Sequence, residues 1–374
     1  MERMARSFRQ KRILVFCDYH PGLLDSMSQT LDHIGVTLRV LVRKRHVFYW
    51  KDIRTRVINL PLRVFFEEEP VTIPSIISLI TYLITATIVG TIVVVRQRLE
   101  AILAIFAFPQ GTVAFLVGLI TRRKVAILTD GGDIDVLLKR ALLRPIMLMC
   151  LRRATVVGAL NNTKSSLLLS HGIKTRLCPT IGIDTSRFEY VPNRGQEFLI
   201  LYAGRLIAEK RPELLLKACY GLKQRGACFK VLLAGDGPLR EEIANGVIQM
   251  GLADIVTMKG YVPHSEMHDL FQESAVLVLP SAREGVSVSL LEAMSSGCVC
   301  IVSDIADNKE LIQDKYNGIT FRADDQEDLT DELYWAMSHP VEMESMAKNA
   351  RRLVEREYSL DAVGSKLSAV LSSL

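Results

Sequence analysis

Two glutamates, Glu284 and Glu292, flank the predicted start of a helix in this sequence. A strand-like apolar run ends at Pro280, a polar loop carries Glu284 and Gly285, and a helical run begins near Ser287. The first N–H groups of a helix lack an intrahelical partner and lie at the positive end of its dipole, where phosphate or sugar oxygens bind favourably. Carboxylates on both sides of that point predict a ligand with hydroxyls flanking a phosphate, such as a nucleotide sugar.

A structural role for one of these glutamates is also open. Ser289 and Glu292 have the spacing of a capping box, in which the glutamate would serve the helix and not a ligand. Gly285 lacks a side chain, so a ligand could approach the backbone closely beside Glu284.

A second group of candidate residues lies in Gly204-Arg-Leu-Ile-Ala-Glu-Lys210, directly after an apolar run. Gly204 permits a sharp turn at the end of a strand, and Arg205 and Lys210 then project from the turn and the loop that follows. A guanidinium fork and an ammonium on one loop suit a diphosphate leaving group. Ordinary solvation would explain Lys210 taken by itself.

A glycine-rich loop, Asp130-Gly-Gly-Asp133, follows another apolar run. In open parallel α/β sheets, ligands bind at the carboxyl ends of the strands. Asp130 and Asp133 are therefore candidates for contact with an acceptor or a sugar, although each could equally well be a turn or capping residue.

Apolar runs of strand length alternate with helical runs along this chain of 374 residues, which is typical of parallel sheets built from βαβ units. The length favours two domains, and Pro192-Asn-Arg-Gly-Gln196 is the predicted linker between them. We predict Rossmann-like domains over residues 1–192 and 197–356. The predicted strands are Arg12–Cys17, Thr37–Val42, Arg56–Leu60, Ala101–Phe106, Lys124–Leu128, Ala154–Val157, Phe198–Ala203, Lys230–Ala234, Ile255–Met258, Val276–Leu279 and Val299–Val302.

The run from Glu284 to Gly297, Glu-Gly-Val-Ser-Val-Ser-Leu-Leu-Glu-Ala-Met-Ser-Ser-Gly, resembles the E-x7-E signature of the retaining glycosyltransferases of family 4. Other segments resemble landmarks of that family in the same order along the chain. These segments are Leu128-Thr-Asp-Gly-Gly-Asp-Ile134, Ile181-Gly-Ile-Asp-Thr-Ser-Arg-Phe188, Gly204–Lys210, Leu233-Ala-Gly-Asp-Gly-Pro238, Lys259-Gly-Tyr-Val-Pro263 and Tyr316-Asn-Gly318.

The resemblance implies an α/β GT-B fold: two Rossmann-like domains with parallel sheets facing across a cleft, and a C-terminal helix, residues 357–374, packing back on the first domain. It implies transfer of a sugar, with retention, from a nucleotide diphosphate sugar to a hydroxyl of a glycan or lipid-linked acceptor in polysaccharide or glycolipid biosynthesis. Neither a metal nor a further cofactor is expected. A non-catalytic scaffold and a sugar-nucleotide epimerase of the same fold remain alternatives.

The resemblance also implies roles for individual residues. Arg205 and Lys210 would stabilise the departing diphosphate, and Glu284 would bind the donor sugar near its reacting carbon. The expected donor-binding residues are Glu292, Gly204, Gly285, Val286, Val262 and Gly22, and Asp130 and Asp133 are expected at the acceptor or sugar. The sequence departs from the family pattern at Asp130, where a histidine is common, at Val286-Ser287, where Phe-Gly is common, and at Val299, where a proline is usual.

The charge of the chain is unevenly distributed. Residues 1–190 carry 27 Lys and Arg against 14 Asp and Glu, a net +13, whereas the remainder carries 19 against 27, a net −8. We expect the first domain to dock on an anionic membrane surface at the cytoplasmic face, and no nucleic-acid partner, because no aromatic-rich binding motif accompanies the charge. The basic clusters are Arg3, Arg6, Arg9, Lys11 and Arg12; Arg43, Lys44 and Arg45; Lys51, Arg54 and Arg56; and Arg122, Arg123 and Lys124.

Residues 75–95 carry no charge and are long enough to span a bilayer. A span would separate the predicted strand Arg12–Cys17 from Ala101–Phe106, which should belong to the same sheet. A buried or surface-lying helix is therefore favoured over a transmembrane one.

The cysteines and histidines carry no recognisable motif. Seven cysteines, an odd number without a C-x-x-C pair, predict a reducing compartment without disulfides. The seven histidines do not show the spacing of a metal site. A signal peptide is not expected, since the N-terminus is basic and polar as far as Arg12.

Overall fold

The fold is seen in a computed structural model, which describes residues 12–17, 30, 37–43, 56–60, 73–129, 134, 138, 140, 141, 143–192 and 197–374. The chain forms two compact units, Met1–Gly182 with Leu360–Leu374, and Ile183–Ser359. The second unit begins ahead of the predicted linker because Ile183 forms a bridge with Ser359 and its N–H donates to the Tyr358 carbonyl (2.7 Å).

The first unit contains a sheet of seven parallel strands in the described part of the chain. In spatial order the strands run β3-β2-β1-β4-β5-β6-β7. Their bounds are β1 (Arg12–Cys17), β2 (Thr37–Arg43), β3 (Arg56–Leu60), β4 (Ala101–Ile105), β5 (Lys124–Thr129), β6 (Val156–Ala159) and β7 (Arg176–Leu177). The helices described between these strands are α1 (Ile73–Gln97), α2 (Gln110–Thr121), α3 (Arg144–Arg153) and α4 (Asn162–Ser170).

The second unit has six parallel strands, in the spatial order β10-β9-β8-β11-β12-β13. Their bounds are β8 (Leu199–Ala203), β9 (Lys230–Ala234), β10 (Val256–Gly260), β11 (Val276–Leu279), β12 (Val299–Ser303) and β13 (Ile319–Phe321). Its helices are α5 (Pro212–Gln224), α6 (Arg240–Gln249), α7 (Met267–Glu273), α8 (Val288–Ser296), α9 (Ala306–Leu311), α10 (Gln326–Ser338) and α11 (Pro340–Leu353), and the chain then returns to the first unit in α12 (Leu360–Leu371).

Both sheets are doubly wound, and each reverses its strand order once. The reversal lies between β1 and β4 in the first unit and between β8 and β11 in the second. Loops that leave the carboxyl ends of such neighbouring strands diverge, which opens a crevice where ligands of this class of sheet bind. The prediction of two parallel α/β sheets is confirmed.

Helix α1 accounts for the uncharged stretch around residues 75–95. Its inward face joins the core of the first unit through Leu79, Tyr82, Ala86 and Val94, and a Cβ added at Gly90 would stand 2.7 Å from the ring of Phe16 on β1. Its outward face is exposed. In the described part of the chain, this is the one helix long and apolar enough to cross a membrane by length and composition.

Candidate functional site

The predicted site residues of the second unit cluster at the carboxyl ends of β8 and β11. These strands are parallel neighbours, with Val276 beside Ile200 and Leu277 beside Leu201. The loop after β8 begins at Gly204 and the loop after β11 at Pro280. Both loops therefore start side by side at the point where the strand order reverses.

An ion pair joins the two loops. Lys210 Nζ lies 2.6 Å from Glu284 Oε1, and the side chain of Glu284 is only 5% exposed. The Ser281 hydroxyl donates a second hydrogen bond to the same carboxylate oxygen (2.7 Å). A carboxylate removed from water in this way requires a compensating cation and donors, and both are supplied by the loops themselves.

A second ion pair and a backbone bond reinforce this connection. Arg283 pairs with Glu209, and the Ala282 N–H donates to the Glu209 carbonyl (2.8 Å). Sequence reasoning missed both Glu209 and Ser281, although each lies inside a segment that carries predicted site residues. The pairing of loops far apart in sequence is a tertiary feature that neither segment reveals by itself.

Glu292 lies in α8 and faces a histidine from the loop after β10. Its Oε1 is 2.5 Å from Nε2 of His264, and its side chain is 5% exposed. The Phe188 ring packs 5.9 Å from the His264 ring, centroid to centroid, and the Arg187 guanidinium donates to the His264 carbonyl (2.9 Å). Sequence reasoning missed His264, even though it directly follows the Val262-Pro263 turn from which nucleotide contacts were expected.

The capping-box interpretation of Ser289 and Glu292 is wrong. Helix α8 begins at Val288 with Ser287 as its N-cap, so Glu292 lies two residues beyond the N3 position that a capping-box glutamate occupies. The Ser289 hydroxyl donates to the Ala203 carbonyl at the end of β8 (3.3 Å). Glu292 therefore does not cap its own helix.

Arg205 is exposed, and its side chain forms no ion pair with any described residue. Its backbone is fixed, because its carbonyl accepts a hydrogen bond from the buried Tyr202 hydroxyl (2.8 Å). Burial, with a contribution from the negative charge of Glu284, raises the pKa of Tyr202, so this phenol remains a donor at physiological pH. The backbone of Arg205 is thus fixed, whereas its guanidinium forms no ion pair with a described residue.

Gly204 and Gly235 determine how closely the loop after β8 approaches the loop after β9. A Cβ added at Gly235 would lie 1.8 Å from the carbonyl oxygen of Gly204, so only glycine fits there. The Gly204 N–H donates to the Ala234 carbonyl (3.0 Å) and the Leu206 N–H to the Asp236 carbonyl (3.0 Å).

The remaining donor-binding predictions fall around the same sheet edge or outside the described residues. Gly285 and Val262 are half-buried, and Val286 is buried in the loop that leads into α8. Gly22, Asp130 and Asp133 lie outside the described residues. Within the described ranges no cluster of three or more His, Cys, Asp or Glu could hold a metal ion.

Comparison with known proteins gives a family match for the second unit. Residues 184–353 match the model of the family "Glycosyl transferases group 1". The chain is 32% identical over 175 residues to alpha-D-kanosaminyltransferase of Streptomyces kanamyceticus, covering 46% of this chain and 45% of that protein. It is 26% identical over 224 residues to amylovoran biosynthesis glycosyltransferase AmsK of Erwinia amylovora, covering 56% and 55%. The chain thus spans about half the length of these curated relatives.

Solved structures show the same fold over almost the whole chain. HepE of Anabaena, crystallised in complex with UDP, superposes with a TM-score of 0.76 at 15% identity and covers 96% of this chain and 100% of that one. Sucrose-phosphate synthase from Thermosynechococcus elongatus gives 0.77 at 17% identity and covers 97% and 98%. The fold is therefore GT-B, as expected from the sequence.

Proposed function

We propose that this protein is a retaining glycosyltransferase that moves a sugar from a nucleotide diphosphate sugar to a hydroxyl of a glycan or lipid-linked acceptor. The carrying observation is the sheet edge of the second unit: the loop after β8 carries Lys210 and the exposed Arg205, Lys210 pairs with Glu284, and buried Glu292 lies in α8. The family match of residues 184–353 supports the proposal, because it covers all of these residues.

Arg205 and Lys210 are assigned to the leaving diphosphate. Charge on the diphosphate increases as its bond to the sugar breaks, and preorganised cations lower the barrier to that step. Arg205 supplies a free fork for two phosphate oxygens. Lys210 is already held in place by Glu284, so positioning it costs little when the donor binds.

Glu284 and Glu292 are assigned to the two sugars of the donor. A buried carboxylate is a strong acceptor for a hydroxyl. Glu292, oriented by His264, would accept from the ribose diol, and Glu284, oriented by Lys210 and Ser281, would contact the transferred sugar near its reacting carbon. Backbone groups of Gly204, Gly285, Val286 and Val262 would complete the donor contacts.

The transfer step balances without a dedicated protein base. The bond between the anomeric carbon and the diphosphate oxygen breaks, and its electron pair remains on the phosphate. The acceptor oxygen bonds to the same face of that carbon, and its proton passes to the departing phosphate oxygen. Configuration is therefore retained.

We further propose that the reaction needs no metal ion, because Arg205, Lys210 and the N-terminus of α8 together offset the diphosphate charge. Turnover is expected to be unchanged by EDTA and unchanged by added Mg²⁺ or Mn²⁺, measured as release of nucleoside diphosphate. Activity lost in EDTA and restored by either ion would contradict the proposal.

The test of the function is a panel of UDP-, GDP- and ADP-sugars, with UDP-glucose first because HepE has been crystallised with UDP and glucose and with UDP-glucose. The cognate donor should raise the melting temperature by mass action and release its nucleoside diphosphate when an acceptor is present. A donor that is converted into an epimer without release would identify an epimerase. Binding without any conversion across acceptors would identify a scaffold.

A further inference from the structure

The outward face of α1 is an apolar ridge on a surface where a soluble protein normally has polar residues. Its isoleucines at intervals of three or four residues are 46–58% exposed: Ile77, Ile80, Ile84, Ile88 and Ile92. Val95 extends the ridge by a further turn at 63% exposure. At about 1.5 Å per residue the ridge is roughly 27 Å long.

Helix α2 packs beside α1 and carries further exposed apolar residues. Gly90 of α1 faces Val117 of α2, because a Cβ at Gly90 would stand 3.1 Å from Val117 Cγ2. The two helices are therefore in close contact, and the exposed side chains of Leu119 and Ile120 lie near the carboxyl end of α1. Exposed apolar side chains thus occur on two adjacent helices.

Basic side chains border this surface at one end. Helices α1 and α2 lead into β4 and β5, whose first residues, Ala101 and Lys124, are partners in the sheet register. The carboxyl ends of both helices therefore lie at the same sheet edge. The two helix ends and the turns into β4 and β5 expose one acidic residue, Glu100, and five basic residues: Arg96, Arg98, Arg122, Arg123 and Lys124. None of the five is ion-paired with a described carboxylate.

We propose that the α1 ridge, together with Leu119, Ile120 and the basic edge, is a docking surface for an anionic lipid bilayer, with α1 lying in the membrane interface. Apolar side chains on one face and unpaired cations beside them match the acyl boundary and the anionic headgroups of such a surface. The helix does not cross the bilayer, because Tyr82, Ala86 and Gly90 on its other face complete the core of the first unit.

Sedimentation of the full chain with vesicles tests the proposal. Binding is expected with phosphatidylcholine–phosphatidylglycerol vesicles at low salt, and weaker binding with phosphatidylcholine alone or at high salt. Ile80→Gln/Ile84→Gln/Ile88→Gln should lower the partition coefficient about tenfold or more. Arg122→Gln/Arg123→Gln should lower it about 25-fold, since each cation near an anionic surface contributes roughly fivefold.

Matched controls come from exposed residues elsewhere on the chain. Ile248→Gln removes an exposed isoleucine of α6, and Lys174→Gln/Lys217→Gln removes two exposed lysines. Both controls should bind vesicles as the wild type does, and circular dichroism and melting temperature should show that every variant folds. The vesicles contain no sugar acceptor, so the result is independent of transferase activity.

Three outcomes would overturn the proposal. The first is recovery of the wild type in the supernatant with both vesicle types at low salt. If the triple isoleucine variant also dissociates a dimer, the ridge is then a dimer interface and not a membrane-binding surface. The second is an equal loss of binding in the control variants. The third is resistance of the bound protein to alkaline carbonate extraction, which would indicate a membrane span.

Discussion

Glu284 and Glu292 are almost fully buried, and each carboxylate faces a different basic side chain. Lys210 neutralises the first from the neighbouring loop, and His264 contacts the second from the loop after β10. Removing a partner from such a pair leaves an uncompensated group, which costs more than the pair itself contributes. These glutamates are therefore held in one orientation, whereas Arg205 is held only at its backbone.

Arg205→Ala should lower turnover by about 10²-fold or more, because it removes the free guanidinium assigned to the leaving diphosphate. The melting temperature should stay the same, because the side chain is exposed and forms no ion pair with a described residue. Steady-state kinetics with the cognate donor, with Lys217→Ala as the exposed control, checks this. Near-normal turnover would remove Arg205 from the leaving-group role.

Glu292→Gln should raise the donor KM by about tenfold, since a hydrogen bond to a charged acceptor is replaced by one to a neutral amide. The amide has the same shape and still places an oxygen beside His264, so that contact keeps a polar partner and the melting temperature should change little. Combining it with His264→Asn should give a non-additive effect on KM, because the two side chains are in contact. An earlier melt with unchanged donor affinity would assign Glu292 a purely structural role.

At the scale of elements, the site depends on backbone contacts between consecutive loops of the second sheet. The turn after β8 is held by the segment after β9 through the Leu206 N–H and the Asp236 carbonyl, and Gly235 touches Gly204 directly. Because these are main-chain contacts, they fix the backbone position of Arg205 independently of its side-chain conformation.

Gly235→Ala should destabilise the protein by about 3 kcal/mol and reduce donor binding, because its Cβ would overlap the Gly204 carbonyl and displace the turn. Gly246→Ala is the matched control: it lies inside α6, and its Cβ would meet only Leu216 Cδ1 at 3.4 Å. That change should be neutral or stabilising by up to about 1 kcal/mol. Urea unfolding and donor titration compare the two variants, and equal behaviour would contradict the close approach.

The elements were predictable where a strong local pattern determines them. Long apolar runs in the sequence predicted β1, β4, β5, β8, β9 and β11. Strands β7 and β13 were not predicted, because strands of two and three residues are too short to show a periodic pattern. The roles of Glu209, Ser281 and His264 could not be predicted, because each depends on a loop distant in sequence. The start of α8 near Ser287 was predicted, yet the capping-box alternative was excluded only by the observed N-cap, Ser287, and by the contact of Glu292 with His264.

At the scale of the whole molecule, the chain enters the first unit twice. Helix α12 is far from β5 and β7 in sequence but binds beside them: Arg176 donates to the Ala369 carbonyl (2.8 Å), and Lys124 to the Ser373 carbonyl (3.2 Å). The side chains of Val363, Leu367 and Val370 are buried. The stability of the first unit therefore depends on the last residues of the chain, whereas the described residues of the proposed donor site belong to the second unit.

This separation predicts that a cavity in α12 weakens one unit and spares the function of the other. Leu367→Ala should cost the first unit about 3 kcal/mol, since it empties a fully buried position, whereas Ser365→Ala on the exposed face should cost little. Hydrogen exchange should report lost protection in β4, β5 and β6 and unchanged protection in β8, β9 and β11, because each sheet packs in its own core. Nucleotide should still protect the second sheet in this variant, because Arg205, Lys210 and Glu292, which are assigned to the donor, lie in that unit. Equal loss of protection in both sheets would mean that the two cores unfold as one cooperative unit.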